Sequence, residues 1–182
     1  MKTLLASLAL LPLPALAAGL LGTTVDVRYD YEGDEAWHTL DSVVVGPGVE
    51  LTCPGSAQAC SVLQAATQTV DIGDHGLRYA YSGAGGATAS FDNLAINGFT
   101  FERLYGNGTV ITGVTVADTS LAGFNPARIS FTAHSVSVRM GGLTLGSSAF
   151  LQLSLQTAPV PEPGSAALLL GGLALLLARR RR

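Results

Sequence analysis

Few residues in this chain have the types and spacing for chemistry. The histidines His38, His75 and His134 are scattered, and none stands at metal-ligand spacing from another, so they are expected at surfaces and turns. No Gly-x-Ser-x-Gly nucleophile elbow occurs. Cys53 and Cys60 are the only thiols, and their separation excludes a redox Cys-x-x-Cys pair. Metal binding through them would need two further soft ligands nearby, which the sequence lacks. In an exported chain an even cysteine count favours a disulfide, a local staple worth about 2.5 kcal/mol in the chain-entropy account. Such pairing also removes both sulfurs as nucleophiles.

Two acidic stretches have oxygen donors at close spacing. In Asp71-Ile72-Gly73-Asp74-His75-Gly76, the carboxylates of Asp71 and Asp74 with intervening glycines can wrap a hard cation such as calcium. That stretch lacks the third carboxylate and the distal bidentate glutamate of an EF-hand loop, and Asp and Gly are also what a strand-to-strand turn requires. Glu32-Gly33-Asp34-Glu35 reads most simply as a solvated hairpin tip. Trp37, the single tryptophan, lies near His38, Tyr29 and Tyr31. Sugars stack on such rings in carbohydrate-binding sandwiches, and the competing reading, a core tryptophan between sheets, is the favoured one. Asn107-Gly108-Thr109 matches a glycosylation sequon but reads better as part of a Gly-Asn-Gly turn. No cofactor is implied.

The elements that must position these residues are strands. Val25, Val27, Tyr29 and Tyr31 alternate with Asp26, Arg28 and Asp30, placing apolar side chains on one face and charges on the other. The same alternation predicts strands at 77–81, 99–102, 114–116, 129–131, 42–45, 49–52, 136–139 and 149–155, the last with Leu151, Leu153 and Leu155 inward. Gly83 to Gly86, Asn97-Gly98, Gly106 to Gly108 and Gly141-Gly142 read as the punctuation between them. Residues 61–68 are readable as helix or strand, and 121–128 can hold a single turn before the strand at Ile129. Short strands with turn signals at this spacing predict an all-β fold, an antiparallel, jelly-roll-like β-sandwich over residues 18–155.

Charge narrows the partners. The whole chain has a formal charge of −3, but the basic residues concentrate at the ends. Between Ala18 and Ala158 only five arginines stand against twelve carboxylates, a formal −7 without any lysine. Such a surface repels phosphate backbones, so no nucleic-acid partner is expected.

The ends read as address labels. Met1-Lys2 is followed by an apolar run from Leu4 to Leu16 and by Ala15-Leu16-Ala17-Ala18, the small residues that signal peptidase reads, which predicts a signal peptide over 1–17 cleaved before Ala18. Pro12 and Pro14 argue against a buried helix there. At the other end a proline-rich linker over 156–165 contains Val160-Pro161-Glu162-Pro163. An apolar segment, Ala166 to Ala178, and the cluster Arg179, Arg180, Arg181 and Arg182 follow. Thirteen helical residues reach roughly 20 Å against a hydrocarbon core of ~30 Å, so a helix in 166–182 suits a temporary stop with its arginines cytoplasmic.

Pro161, Glu162 and Pro163, the apolar segment and the arginine tail together resemble the PEP-CTERM sorting signal of exported bacterial proteins. The resemblance covers residues 160–182. It implies processing near the motif by exosortase, an integral-membrane cysteine protease, with transient attachment to the inner membrane through the C-terminal helix. It also implies residence at the cell surface or in an exopolysaccharide matrix. With no catalytic constellation in view, the expectation is a non-enzymatic surface or matrix protein. The alternative is a carbohydrate- or calcium-binding module, and less favoured again is a polysaccharide hydrolase, which needs two carboxylates across a cleft.

Overall fold

In the computed structural model, the described residues are 19–33, 35–64, 66–106, 108–160, 171–173, 176–177 and 179–180. In chain order the strands are β1 (Thr24–Glu32), β2 (Ala36–Val44), β3 (Leu51–Cys53), β4 (Thr67–Gly73), β5 (Gly76–Ser82), β6 (Ala89–Ser90), β7 (Asn97–Glu102), β8 (Thr109–Thr119), β9 (Ile129–Phe131), β10 (Val136–Arg139), β11 (Thr144–Leu145) and β12 (Phe150–Pro159). They form one antiparallel sheet in the order β2-β1-β7-β10-β9 and a second in the order β3-β4-β5-β12-β8, with the short pair β11-β6 beside them. The protein is all-β and antiparallel, and its sheets stack in a sandwich-like manner around a shared core.

The alternation that predicts β1 is the reason for that core. Val25, Val27 and Tyr29 are buried while Asp26, Arg28 and Asp30 stand on the other face. Rings from both sheets meet in the middle: Phe99 of β7 lies 5.1 Å from Tyr29 of β1 and 5.2 Å from Tyr79 of β5, centroid to centroid. Phe91, from the segment after β6, closes the cluster at 6.3 Å from Tyr29 and 6.1 Å from Tyr79. Tilted pairs at these distances add to simple area burial because ring edges face ring faces.

Charges on the outer face of the first sheet pair along and across strands. Arg28 reaches Asp30 at 3.1 Å and Glu102 at 3.3 Å, and Arg103 reaches Asp26 at 2.7 Å. The largest influence raising the Arg28 pKa is the Asp30 charge.

Two expectations need correction. Asn97 and Gly98 do not punctuate a gap; they are the first residues of β7, because Asn97 is buried and hydrogen-bonded and Gly98 sits where a Cβ would come 2.0 Å from the Val138 carbonyl oxygen. Residues 156–159 are not linker: β12 continues to Pro159, pairing Gln156 with Gly113 and Pro159 with Thr109, and the Val160 N–H donates to the Gly108 carbonyl at 2.6 Å. Register shifts within the β12–β8 pair let the strand run on past the alternating leucines. Of the stretch 61–68, readable as helix or strand, Ser61 ends the 3-10 turn Gln58–Ser61 and Thr67 and Gln68 begin β4. The expected turn before β9 is the 3-10 turn Pro126–Arg128, capped by the Asn125 side chain.

Helical backbone is described at 171–173, 176–177 and 179–180, where Arg179 and Arg180 are exposed. No helix among the described residues is long and apolar enough to cross a membrane. The residues of the expected signal cleavage site, Ala15, Ala17 and Ala18, those of the expected sorting motif, Pro161, Glu162 and Pro163, and Arg181 and Arg182 lie outside the described residues.

Candidate binding cleft

Near the tip of the β1–β2 hairpin, where the two sheets part, a cleft of about 300 Å³ opens between them. Its first wall is a cross-strand pair. Tyr31 stands directly opposite Trp37 in the β1–β2 register, so the two side chains share a face. That face is the inward one, set by the parity of Val27 and Tyr29. Trp37, next to the first residue of β2, nevertheless remains 43% exposed. The expectation of a tryptophan enclosed between sheets is therefore corrected: the face is right, and the enclosure is missing. No aromatic ring among the described residues pairs with its indole.

The second wall comes from the segment after β6. Phe91 N–H donates to the Leu143 carbonyl at 2.9 Å, and Gly142 N–H returns a bond to the Phe91 carbonyl at 3.0 Å. Asn97 locks this wall to the core. Its Nδ2 donates to the Asp92 carbonyl at 2.9 Å while its Oδ1 accepts from the buried Tyr29 hydroxyl at 2.6 Å. Tyr31 Oη then donates to Asp92 Oδ2 at 3.0 Å, joining the two walls. Burial, with the Asp92 charge adding to it, pushes the Tyr29 hydroxyl far above its ordinary pKa, so this phenol is a fixed donor.

The third wall is Val62, Leu63 and Gln64, which follow the loop closed by the disulfide. Cys53 and Cys60 are bonded, as expected. Asp41 of β2 accepts from the Gln58 and Ala59 N–H groups at 2.7 and 2.9 Å, tying this loop to the edge of the first sheet. Leu63 N–H donates to the Ala59 carbonyl at 2.9 Å and carries the chain to Gln64, whose Nε2 bonds Ser61 O at 2.6 Å. Behind it Gln68 accepts from the Tyr79 hydroxyl at 2.6 Å. Burial is the main cause that raises the Tyr79 pKa strongly.

The other candidates do not converge. His38 sits beside Asp30 with Nδ1 2.9 Å from Oδ1, His75 Nδ1 is 3.3 Å from the Tyr105 hydroxyl, and His134 Nδ1 is 3.1 Å from the Leu104 carbonyl. Asp71 faces Arg78 across the β4–β5 pair, and Asp74 occupies the tight turn between Gly73 and Gly76, its Oδ1 accepting from Leu21 N–H at 3.2 Å. No group of three His, Cys, Asp or Glu able to hold a metal occurs among the described residues. Among the described residues that line the cleft, Asp92 is the single carboxylate.

The sequence reading identified Trp37, Tyr29 and Tyr31 as a candidate platform but missed Phe91, Asp92, Asn97, Gln64 and Gln68. The available signal was Phe91-Asp92 preceding a buried asparagine, indistinguishable in one sequence from ordinary turn composition.

Comparison with known proteins gave no matching family model, no matching curated protein and no matching solved structure.

Proposed function

We propose that this chain is an exported, non-enzymatic protein of the cell surface or extracellular matrix, delivered by an N-terminal signal peptide and processed at a C-terminal PEP-CTERM signal. Its sandwich is then jelly-roll-like in the sense that the chain crosses repeatedly from one sheet to the other. Signal peptidase and exosortase are its processing enzymes, the inner membrane its transient anchor through residues 166–182, and exopolysaccharide its surroundings.

The observation that carries the reading is the order of parts at the C-terminus. The last strand ends at Pro159, Val160 is exposed, and Pro161-Glu162-Pro163, the apolar segment and four arginines follow without interruption. A protease would meet this motif immediately outside the last β-pairing. Mass spectrometry of the mature chain from cells with and without exosortase tests it. The expected product begins at Ala18 and lacks the arginine tail only when exosortase is present. A chain ending in Arg182 in both backgrounds overturns the proposal.

A second reading, a carbohydrate-binding module, has a specific observation in its favour: the single tryptophan is half-exposed on the wall of a polar-lined cleft.

A further inference from the structure

We infer that the Trp37 cleft binds a neutral pyranose unit of a polysaccharide, an inference that rests on the carbohydrate-binding reading and names its site and ligand class. A pyranose presents an apolar face of axial C–H bonds and a rim of equatorial hydroxyls, so its receptor needs a flat ring beside a few donors and acceptors. Trp37 supplies the ring, 43% exposed and paired with no aromatic ring among the described residues.

The rim groups are close by. Asp92 uses Oδ2 on the Tyr31 hydroxyl and keeps Oδ1 as an acceptor; Gln64 uses Nε2 on Ser61 and keeps Oε1; Ser90 adds a hydroxyl that donates or accepts. The Tyr29–Asn97 pair holds the Asp92 backbone carbonyl and the Tyr31 hydroxyl holds its carboxylate before any ligand arrives, which lowers the ordering cost of binding. A volume of about 300 Å³ is at the lower end for small-molecule sites and matches a mono- or disaccharide segment of a longer chain.

Charge selects the sugar class. Among the described residues no lysine, arginine or histidine lines the cleft, and Asp92, the one carboxylate among them, lies within a domain of formal charge −7. A uronic acid or sulfated sugar would meet repulsion there with no cation to offset it. Neutral hexoses carry no such penalty.

Trp37 is the single tryptophan, so its emission, excited at 295 nm, reports this site alone. Titrating neutral oligosaccharides (gluco-, manno- and galacto-series) into the purified protein should shift that emission to the blue and protect it from acrylamide, while oligouronates leave it unchanged. Gel electrophoresis through neutral polysaccharides should retard the wild-type chain, with Trp37→Ala weakening retardation by about tenfold and Trp37→Phe by less. Retardation with unaltered indole emission overturns this site and leaves the carbohydrate-binding reading standing. Absence of both signals up to millimolar sugar overturns both. An emission change with oligouronates alone overturns the neutral class.

Discussion

The hydroxyl of Tyr29 and the amide of Asn97 are bonded at 2.6 Å in the interior, and they connect the aromatic cluster to the cleft wall. Tyr29→Phe keeps the ring but leaves Asn97 Oδ1 without its donor in a buried setting. The expected loss is about 1–3 kcal/mol, read as a lowered urea midpoint at constant m. An unchanged midpoint would show that the bond contributes nothing net. Tyrosine ionisation supplies a second test at this scale. Tyr105 is pushed up to about 12 by burial and by the nearby Asp74 charge, and Tyr29 and Tyr79 are pushed higher still. Because these folded values exceed the ordinary value near 10, the unfolded chain loses its phenolic protons first. The stabilisation is whole below about pH 10 and is lost as pH rises through the folded values, at about 1.4 kcal/mol per pH unit for each such tyrosine. Absorbance at 295 nm should therefore show part of the tyrosinate signal of the five tyrosines arriving only with loss of the β-sheet dichroism. Complete ionisation near pH 10 with the sheet intact would contradict this.

Among the elements, β1 was readable because burial of one face imposes a period of two on the sequence, and Val25 to Tyr31 obey it without interruption. What parity cannot convey is how far the opposing sheet extends. Trp37 has the parity of a core residue and the exposure of a rim residue, since its enclosure depends on chain distant in sequence. The start of β7 was illegible for a related reason: Asn97 and Gly98 look like a turn, yet Asn97 finds two partners inside, and Gly98 is required by the approach of β10. Gly98→Ala puts a methyl 2.0 Å from the Val138 carbonyl, so strand β10 must move. A loss of about 1–3 kcal/mol or more is expected by thermal or urea unfolding. The disulfide loop predicts differently, because its effect is on the unfolded chain. Replacing both Cys53 and Cys60 by alanine should cost about 2.5 kcal/mol, and the variant should also show faster hydrogen exchange at Gln58 and Ala59, whose N–H groups are held by Asp41. A stability loss without faster exchange at these two amides would mean that Asp41 holds the loop without help from the covalent link.

For the molecule as a whole, the decisive boundary is where folded β-structure hands over to the C-terminal tail. The alternating leucines stop at Leu155, and a reading of side-chain pattern alone closes the domain there. Backbone pairing does not stop, since Gln156, Thr157, Ala158 and Pro159 oppose Gly113, Ile111, Val110 and Thr109 of β8, with Ile111 and Thr109 buried beneath them. The side chains of 156–159 lack a clean inward row, so these residues leave little trace in sequence although they cover the end of an eleven-residue strand. A chain of residues 19–160 should unfold in a single transition at the urea midpoint of the chain that retains its C-terminal tail. A chain of residues 19–155 should lose about 2–4 kcal/mol, the net worth of the ladder bonds it no longer makes, with dichroism still of β type. Equal midpoints for the two truncations would mean that the last stretch of pairing is marginal, and Pro161-Glu162-Pro163 would then be separated from the stable domain by a longer free segment than Val160 alone.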